Sequence, residues 1–243
     1  MQLEIERQRQ RLSSVETEDR RDALMRLRAL GHPDASRVAL ALLNDPEPMV
    51  RATAAAAVLS LPANESAARL IPLLNDKDEF VRQQAAYALG QTRSHVAVAP
   101  LVERLTDKQD SVRGAAAVAL GQIADPAAVT SLASLLDPQA GLAVLKKNKK
   151  SKREPNPFVL RAAARSLGQI GNRAALPSLM VALQDEKAAS DVRREAAFAL
   201  GTIGDSAALP ALRAAVGAAD PYLAAAAHEA IKKISRSPTA GGV

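Results

Sequence analysis

The side chains of this chain that could do chemistry are three histidines, the carboxylates around them and one dense group of cations, and their spacing restricts what they can do. His228 and Glu229 form the single His-Glu pair, a donor combination suited to iron. A di-iron centre draws many nitrogen and oxygen ligands to one point, so one pair is too few. His32 and His95 fall in linkers and read as solvated or capping residues. The chain has no cysteine, and so no thiolate ligand, disulfide framework or cysteine nucleophile. It contains neither a Gly-rich phosphate loop nor a G-x-S-x-G elbow; Gly90, Gly121, Gly168 and Gly201 instead punctuate a repeat at one fixed place. We therefore expect no catalytic residue, no bound metal and no cofactor.

The cations are the second chemical feature. Lys146, Lys147, Lys149, Lys150, Lys152 and Arg153 stand within eight residues, and they account for the whole formal charge of +6, since 26 basic and 26 acidic residues balance elsewhere. Such a cluster suits an acidic protein, a nucleic acid or an anionic membrane through salt-sensitive contacts. A nucleic-acid groove would continue the basic patch and add stacking residues, whereas neutral Gln and Gly fill much of the remainder. The flanking segment from Pro138 to Pro157 is too charged and proline-bounded to fold alone, and reads as a mobile loop.

The elements that must hold these groups are repeats. VRATAAAAVLSL from Val50, VRQQAAYALGQT from Val81, VRGAAAVALGQI from Val112, VLRAAARSLGQI from Val159 and VRREAAFALGTI from Val192 are near copies, with a weaker LAAAAHEAIKKI from Leu223. Their starts lie 31, 31, 47, 33 and 31 residues apart, the period of a solenoid in which each unit buries its apolar face against its neighbours. The basic insertion explains the long interval. Between the copies runs a second helical pattern, as in VAVAPLVERL ending at Leu105 and AALPSLMVAL ending at Leu183. Each unit is thus a first helix, a turn and a second helix. Pro100, Pro177 and Pro210 fall five or six residues into the first helix and should bend it.

Counted from its first apolar residue at 100° per step, the second helix places offsets 0, 4, 7, 8 and 11 on one face. These carry Val112, Ala116, Ala119, Leu120 and Ile123 in one copy, and that face is core. Alanine at offset 4 throughout permits close helix approach. Apolar residues make up 48 % of the chain and aromatics only 2 %, which suits packed helices rather than a sheet. No run reaches the roughly 18 apolar residues of a membrane span, and MQLEIERQRQRL has no apolar signal core, so a cytoplasmic protein is expected.

The pattern D-x-x-x-x-V-R-x-x-A-A-x-A-L-G-x-I, as from Asp107 to Ile123, resembles the HEAT family, in particular the short repeats named for phycobilisome bilin lyases. It covers roughly residues 34–234. The resemblance implies a right-handed α-α superhelix of helical hairpins. It also implies a ladder of hydrogen bonds between neighbouring units, made by a turn Asp and a helix Arg, with candidates Asp45 and Arg51, Asp76 and Arg82, Asp107 and Arg113, and, with a two-residue insertion, Asp185 and Arg193. Leu160 and Ala224 replace the Arg in two copies, where the ladder should fail. The family includes deoxyhypusine hydroxylase, whose iron site resembles a set of His-Glu pairs from several repeats; here the positions equivalent to His228 and Glu229 hold Ala86 and Tyr87, or Ala197 and Phe198. A bilin lyase would cradle an open-chain tetrapyrrole, and five aromatics support such a cleft thinly.

Those aromatics are not scattered. Phe80, Phe158 and Tyr222 occupy offset −1, and Tyr87 and Phe198 offset 6, both opposite the core. In a HEAT array that side lines the concave groove. Val118 and Arg165 share offset 6, and Arg161 and Arg194 lie beside them at offset 2, so a sparse apolar ridge flanked by arginines is expected to bind a protein. An apolar residue at offset −1 also suits a staple across the preceding turn. The expected organisation is an N-terminal capping region at 1–33 with a helix from Thr17 to Leu30, and a solenoid of about six hairpins at 34–235 with the basic insertion at 138–157. A disordered tail at 236–243 completes it. The expected function is a non-enzymatic protein-interaction scaffold; alternatives are bilin handling or binding of an acidic partner or nucleic acid by the basic loop.

Overall fold

The structure is a computed structural model that describes residues 1–137 and 156–236. The expected mobile insertion up to residue 155, with the basic cluster, and the expected tail beyond Arg236 lie outside the described residues; Asn156 and Pro157, expected at the end of that loop, instead cap and open a helix. Among the described residues every regular element is helical. The first helices of successive hairpins are α1 (Gln2–Arg11), α3 (Pro33–Ala39), α5 (Ala63–Leu70), α7 (Val98–Arg104), α9 (Val129–Leu136), α11 (Leu176–Gln184) and α13 (Leu209–Val216). The second helices are α2 (Thr17–Leu30), α4 (Pro48–Ala57), α6 (Glu79–Thr92), α8 (Asp110–Ile123), α10 (Pro157–Ile170), α12 (Ser190–Ile203) and α14 (Pro221–Arg236). The helix expected at Thr17–Leu30 is therefore half of a hairpin rather than a lone cap, because Ile5 of α1 is buried in the same core as Leu24 and Leu27 of α2.

Local sequence sets the ends of these helices. Five second helices stop at a left-handed residue that turns the chain: Gly31, Arg93, Ala124, Gly171 and Gly204, at φ 60°, 52°, 59°, 71° and 77°. Glycine takes that conformation without strain; Arg93 and Ala124 take it against the clash of their own Cβ. In the last four hairpins a short 3-10 turn then opens the first helix, with Asp125, Asn172 and Asp205 accepting the backbone N–H two residues on. This corrects the reading of the prolines as bends. The α-helix proper begins after the 3-10 turn, so Pro177 and Pro210 stand in its first turn and Pro100 at its third residue, where the missing N–H has no intrahelical partner to lose.

The expected core face is buried, and the covered surface is wider than one stripe. Val81, Ala85, Ala88 and Leu89 are joined in the interior by the offset-5 alanines Ala86, Ala117, Ala164 and Ala197 and by the glycines at offset 9. A second helix inside the array packs on its own first helix and on the second helices before and after it. Glycine at offset 9 is what lets them approach. A Cβ on Gly90 would lie 2.8 Å from the Ala119 Cα, one on Gly168 2.8 Å from the Ala199 Cα, and one on Gly201 2.7 Å from the Ala230 Cα. The first helices of successive hairpins touch over far less of their length. Units packed closer on one side curve toward it, so the second helices form the inner layer.

Between hairpins runs an ion-pair ladder whose pairing differs from the expected one. Arg20 grips Asp45 with Nε and Nη2 at 2.8 and 3.0 Å, Arg51 grips Asp76 at 2.7 and 2.8 Å, and Arg82 grips Asp107 at 2.9 and 3.1 Å. Each arginine thus holds the carboxylate of the following unit. To the Asp of its own unit it gives only Nη1, donated to the backbone carbonyl, at 2.8 Å for Arg51 and Asp45. At Asp76, burial, which alone would raise the carboxyl, is outweighed by Arg51 and by the Asp78 N–H, and the group is held below its ordinary value. Arg113 donates to the Asp107 carbonyl and to the Asp110 carboxylate one turn on, and burial lowers its pKa. Arg193 does not pair with Asp185; its Nε turns to the Leu183 carbonyl at 3.0 Å. In the 25-residue register of the ladder Asp185 answers to position 160, where Leu160 stands in place of an arginine, and Arg193 answers to Ala218, so neither has its partner.

Candidate interaction face

The strip of each second helix that faces neither its own hairpin nor its neighbours runs through offsets −1, 2, 6 and 10. It carries most of the large apolar side chains that the inner layer exposes: Met25, Met49, Phe80, Phe158, Phe198 and Tyr222. Tyr87 and Val118 are half-buried and packed against the core. The expected ridge residues therefore lie on one face, and Met25 and Met49 extend it toward the N-terminus. Sequence reasoning passed over both methionines because it followed aromatics; their offsets, 6 and −1, carry the signal.

The strip has two electrically distinct parts. In α4, α6 and α8 none of its positions is charged; Met49, Phe80, Gln83, Tyr87, Val118 and Gln122 stand there in a chain that is 24 % charged. In α10 and α12 it carries Arg161, Arg165 and Arg194, with one acid, Asp191, at offset −1 of α12. The flanking arginines are not all free. Arg161 Nη1 donates to Asp191 at 2.8 Å, and Arg165 holds Glu195 with Nε and Nη2 at 2.9 and 3.1 Å. Both are bonds from one repeat to the next. The Glu195 partner and its hydrogen bonds raise the Arg165 pKa further. Arg194 lies over the Tyr222 ring, 5.6 Å from its centroid, and makes no ion pair among the described residues.

Offset −1 serves packing and exposure together. The Phe158 ring covers Gly114 of the preceding second helix so closely that a Cβ there would fall 2.7 Å from ring Cδ1, and Arg161 sits 5.9 Å above the same ring. Phe158 is thus a wedge between α8 and α10 with one face open. Asn156 adds a 2.8 Å bond from its amide to Asp110 at this seam. Tyr222 has no such glycine beneath it and stays more open, at 70 % exposure, whereas Phe80 is covered about as far as Phe158.

Elsewhere the buried carboxylates are bonded within the fold. Among the described residues no three His, Cys, Asp or Glu side chains gather as a metal site. His228 and Glu229 are exposed on the last second helix, and Lys232 takes the place of the interior glycine. His228 stands where interior units bury alanine against the next unit, so these departures make a water-facing end. A cleft of 570 Å³ between the turns at Asn44 and Asn75 contains Asp45 and Asp76, both already gripped by Arg20 and Arg51. No helix among the described residues is long and apolar enough to cross a membrane.

A family model for HEAT repeats matches residues 5–90, 67–144 and 149–232. No curated protein sequence matches the chain. Among solved structures it is similar to the complex of CpcE and CpcF of phycocyanin lyase from Nostoc sp. PCC7120, at 21 % identity and a TM-score of 0.56 over 95 % of this chain and 93 % of that one. It is also similar to an engineered protein, at 22 % identity and a TM-score of 0.53 over 95 % of this chain and 68 % of that one. Human deoxyhypusine hydroxylase aligns with 97 % of both chains at 21 % identity and a TM-score of 0.45. For the first two, at these identities, the likeness is one of fold.

Proposed function

The chain belongs to the HEAT-repeat family, and from that premise we propose that it is a non-enzymatic scaffold whose protein partner lies along the inner face of the second helices. The observation that carries this reading is the collection of exposed Met49, Phe80, Phe198 and Tyr222, with half-buried Tyr87 and Val118, on one strip of an otherwise Ala-packed array. Apolar side chains gathered on one face mark a contact surface, whereas single scattered ones need no explanation. The committed state of the buried carboxylates and arginines supports the non-enzymatic part, because each has a structural bond partner. Kinship with lyases and hydroxylases rests on fold, and fold alone does not transfer an activity.

A second reading has its own support in the sequence. The six cations between Lys146 and Arg153 would hold an acidic protein or nucleic acid by salt-sensitive contacts, independently of the inner face. Pulldown from the native host's lysate separates the two. Wild type is compared with Tyr87→Ala/Phe198→Ala and with a form lacking residues 146–153. A protein retained by wild type and the deletion, and lost from the double variant, is the expected result. A double variant that retains every partner, with loss confined to the deletion, would transfer the function to the basic segment.

A further inference from the structure

The partner's own chemistry is written in the change of character along the inner strip. Over α4, α6 and α8 the strip is uncharged and half apolar, with amides at Gln83, Gln91 and Gln122. Over α10 and α12 it turns cationic at its surface although acids are present, because the acids are the more covered members of each pair. Arg165 is 61 % exposed against 14 % for Glu195, and Arg161 42 % against 30 % for Asp191. A guanidinium has five N–H donors. Arg165 uses two on Glu195 and Arg161 uses one on Asp191, so both keep donors beyond those bonds, and Arg194, over the Tyr222 ring, makes no ion pair among the described residues although its charge helps hold the nearby Asp220 carboxyl low.

We propose that the occupant of this groove is a polypeptide segment with apolar side chains over α4–α8 and carboxylates over α10–α12, bound in one direction only. The inference rests on the scaffold reading of this face and adds the sequence class and polarity of the partner. Charge complementarity sets the direction: a carboxylate over α4–α8 would lose water with no cation to meet it, and a cation over α10–α12 would face three guanidinium groups. Packed helices lie about 8–10 Å apart, so the step from α6 to α10 is roughly 16–20 Å. An extended chain rises about 3.3 Å per residue and a helix 1.5 Å. The first carboxylate therefore follows the central apolar anchor by about five or six residues in an extended segment, or by about 11–13 in a helical one.

Phage-displayed random 16-residue peptides, selected on the immobilised full chain and then synthesised with a fluorescent label, test this by anisotropy. Clones with an apolar cluster and acidic residues at one of those two spacings are expected. Their affinity should fall about tenfold with Tyr87→Ala and severalfold with Arg165→Ala, and should weaken with added NaCl. Circular dichroism of each variant confirms that the fold is retained; Arg165 is exposed enough for its removal to leave the core untouched. Clones lost with Tyr87→Ala but without acidic enrichment, or indifferent to Arg165→Ala, would overturn the inference and leave the scaffold reading standing. Clones that ignore both variants, or the absence of any groove-binding clone, would overturn both.

Discussion

Replacing Gly168 by alanine sets helix propensity against helix spacing. In a solvated helix the change would stabilise by about 1 kcal/mol, because glycine is the poorer helix former. Here the new Cβ would stand 2.8 Å from the Ala199 Cα and 2.9 Å from its Cβ, against backbone that cannot rotate away. Ordinary carbon contacts begin at about 3.5 Å, so α10 and α12 must separate by more than half an ångström, opening the Leu167 and Leu200 layer beside them. Overpacking of this kind costs about 1–3 kcal/mol and rigid backbone places it at the upper end, for a net loss of about 2 kcal/mol after the propensity gain. With a urea m-value of about 2–3 kcal/mol/M, the midpoint should fall by about 0.7–1 M. Gly217→Ala is the control: that glycine has φ −83° and meets nothing nearer than 3.8 Å, so the same change should leave the midpoint level or raise it. A Gly168→Ala midpoint at or above wild type would refute the argument that glycine at this offset sets the helix spacing.

Other parts of the account make separate predictions. Arg82→Leu leaves the Asp107 carboxylate in a covered site with its arginine removed and should lower stability by about 3–5 kcal/mol, with Arg82→Leu/Asp107→Leu recovering much of the loss; urea denaturation of the pair checks both. Ala124→Gly relieves a left-handed alanine and should raise stability by about 0.5–1 kcal/mol after the greater freedom of the unfolded glycine is counted, seen as a higher melting temperature. Acid should weaken the array from one side only. Asp76 and Asp205 are held below the ordinary aspartate value of 3.8, Asp76 by Arg51 and a backbone N–H acting against burial, Asp205 by the Arg173 hydrogen bond. A depressed carboxylate stabilises fully above 3.8 and loses its contribution as the pH falls through its lower folded value. Their contribution to the urea midpoint should therefore stay constant from pH 7 to 5 and decline below about 3.8; its loss between pH 7 and 5 would contradict these assignments.

The period and the Val-Arg-Ala-Ala-Leu-Gly pattern were enough to place the solenoid, and Val112, Ala116 and Leu120 stand in the core where a 100° count puts them. The count misjudged the width of the buried surface. It treats a helix as having one partner, whereas α8 has three, and so Ala117 fell outside the counted face and Gly121 read as repeat punctuation instead of contact. The ladder's direction was hidden for a similar reason: Asp76 and Arg82 are near in sequence, but the carboxylate that Arg82 grips comes from the next unit, as distant as one hairpin. The first hairpin escaped notice because α1, QLEIERQRQR, buries little beyond Ile5 and Gln8 and has no Ala-rich copy. On the inner face the aromatic positions were legible from offset alone. The acids that answer the arginines were not, since Asp191 and Glu195 carry no signal until the repeat spacing brings them opposite Arg161 and Arg165.

The most direct measurement of the central claim is site-specific photocross-linking. Benzoylphenylalanine replaces Tyr87 on the inner strip of α6 or, as the comparison, Val181, which is 47 % exposed on the first helix α11. Each protein is illuminated in lysate of its native host and the adducts are resolved by mass. The account predicts one discrete protein adduct from position 87 and none from position 181. Adducts from position 181 with none from 87 would place the partner on the outer layer and contradict it.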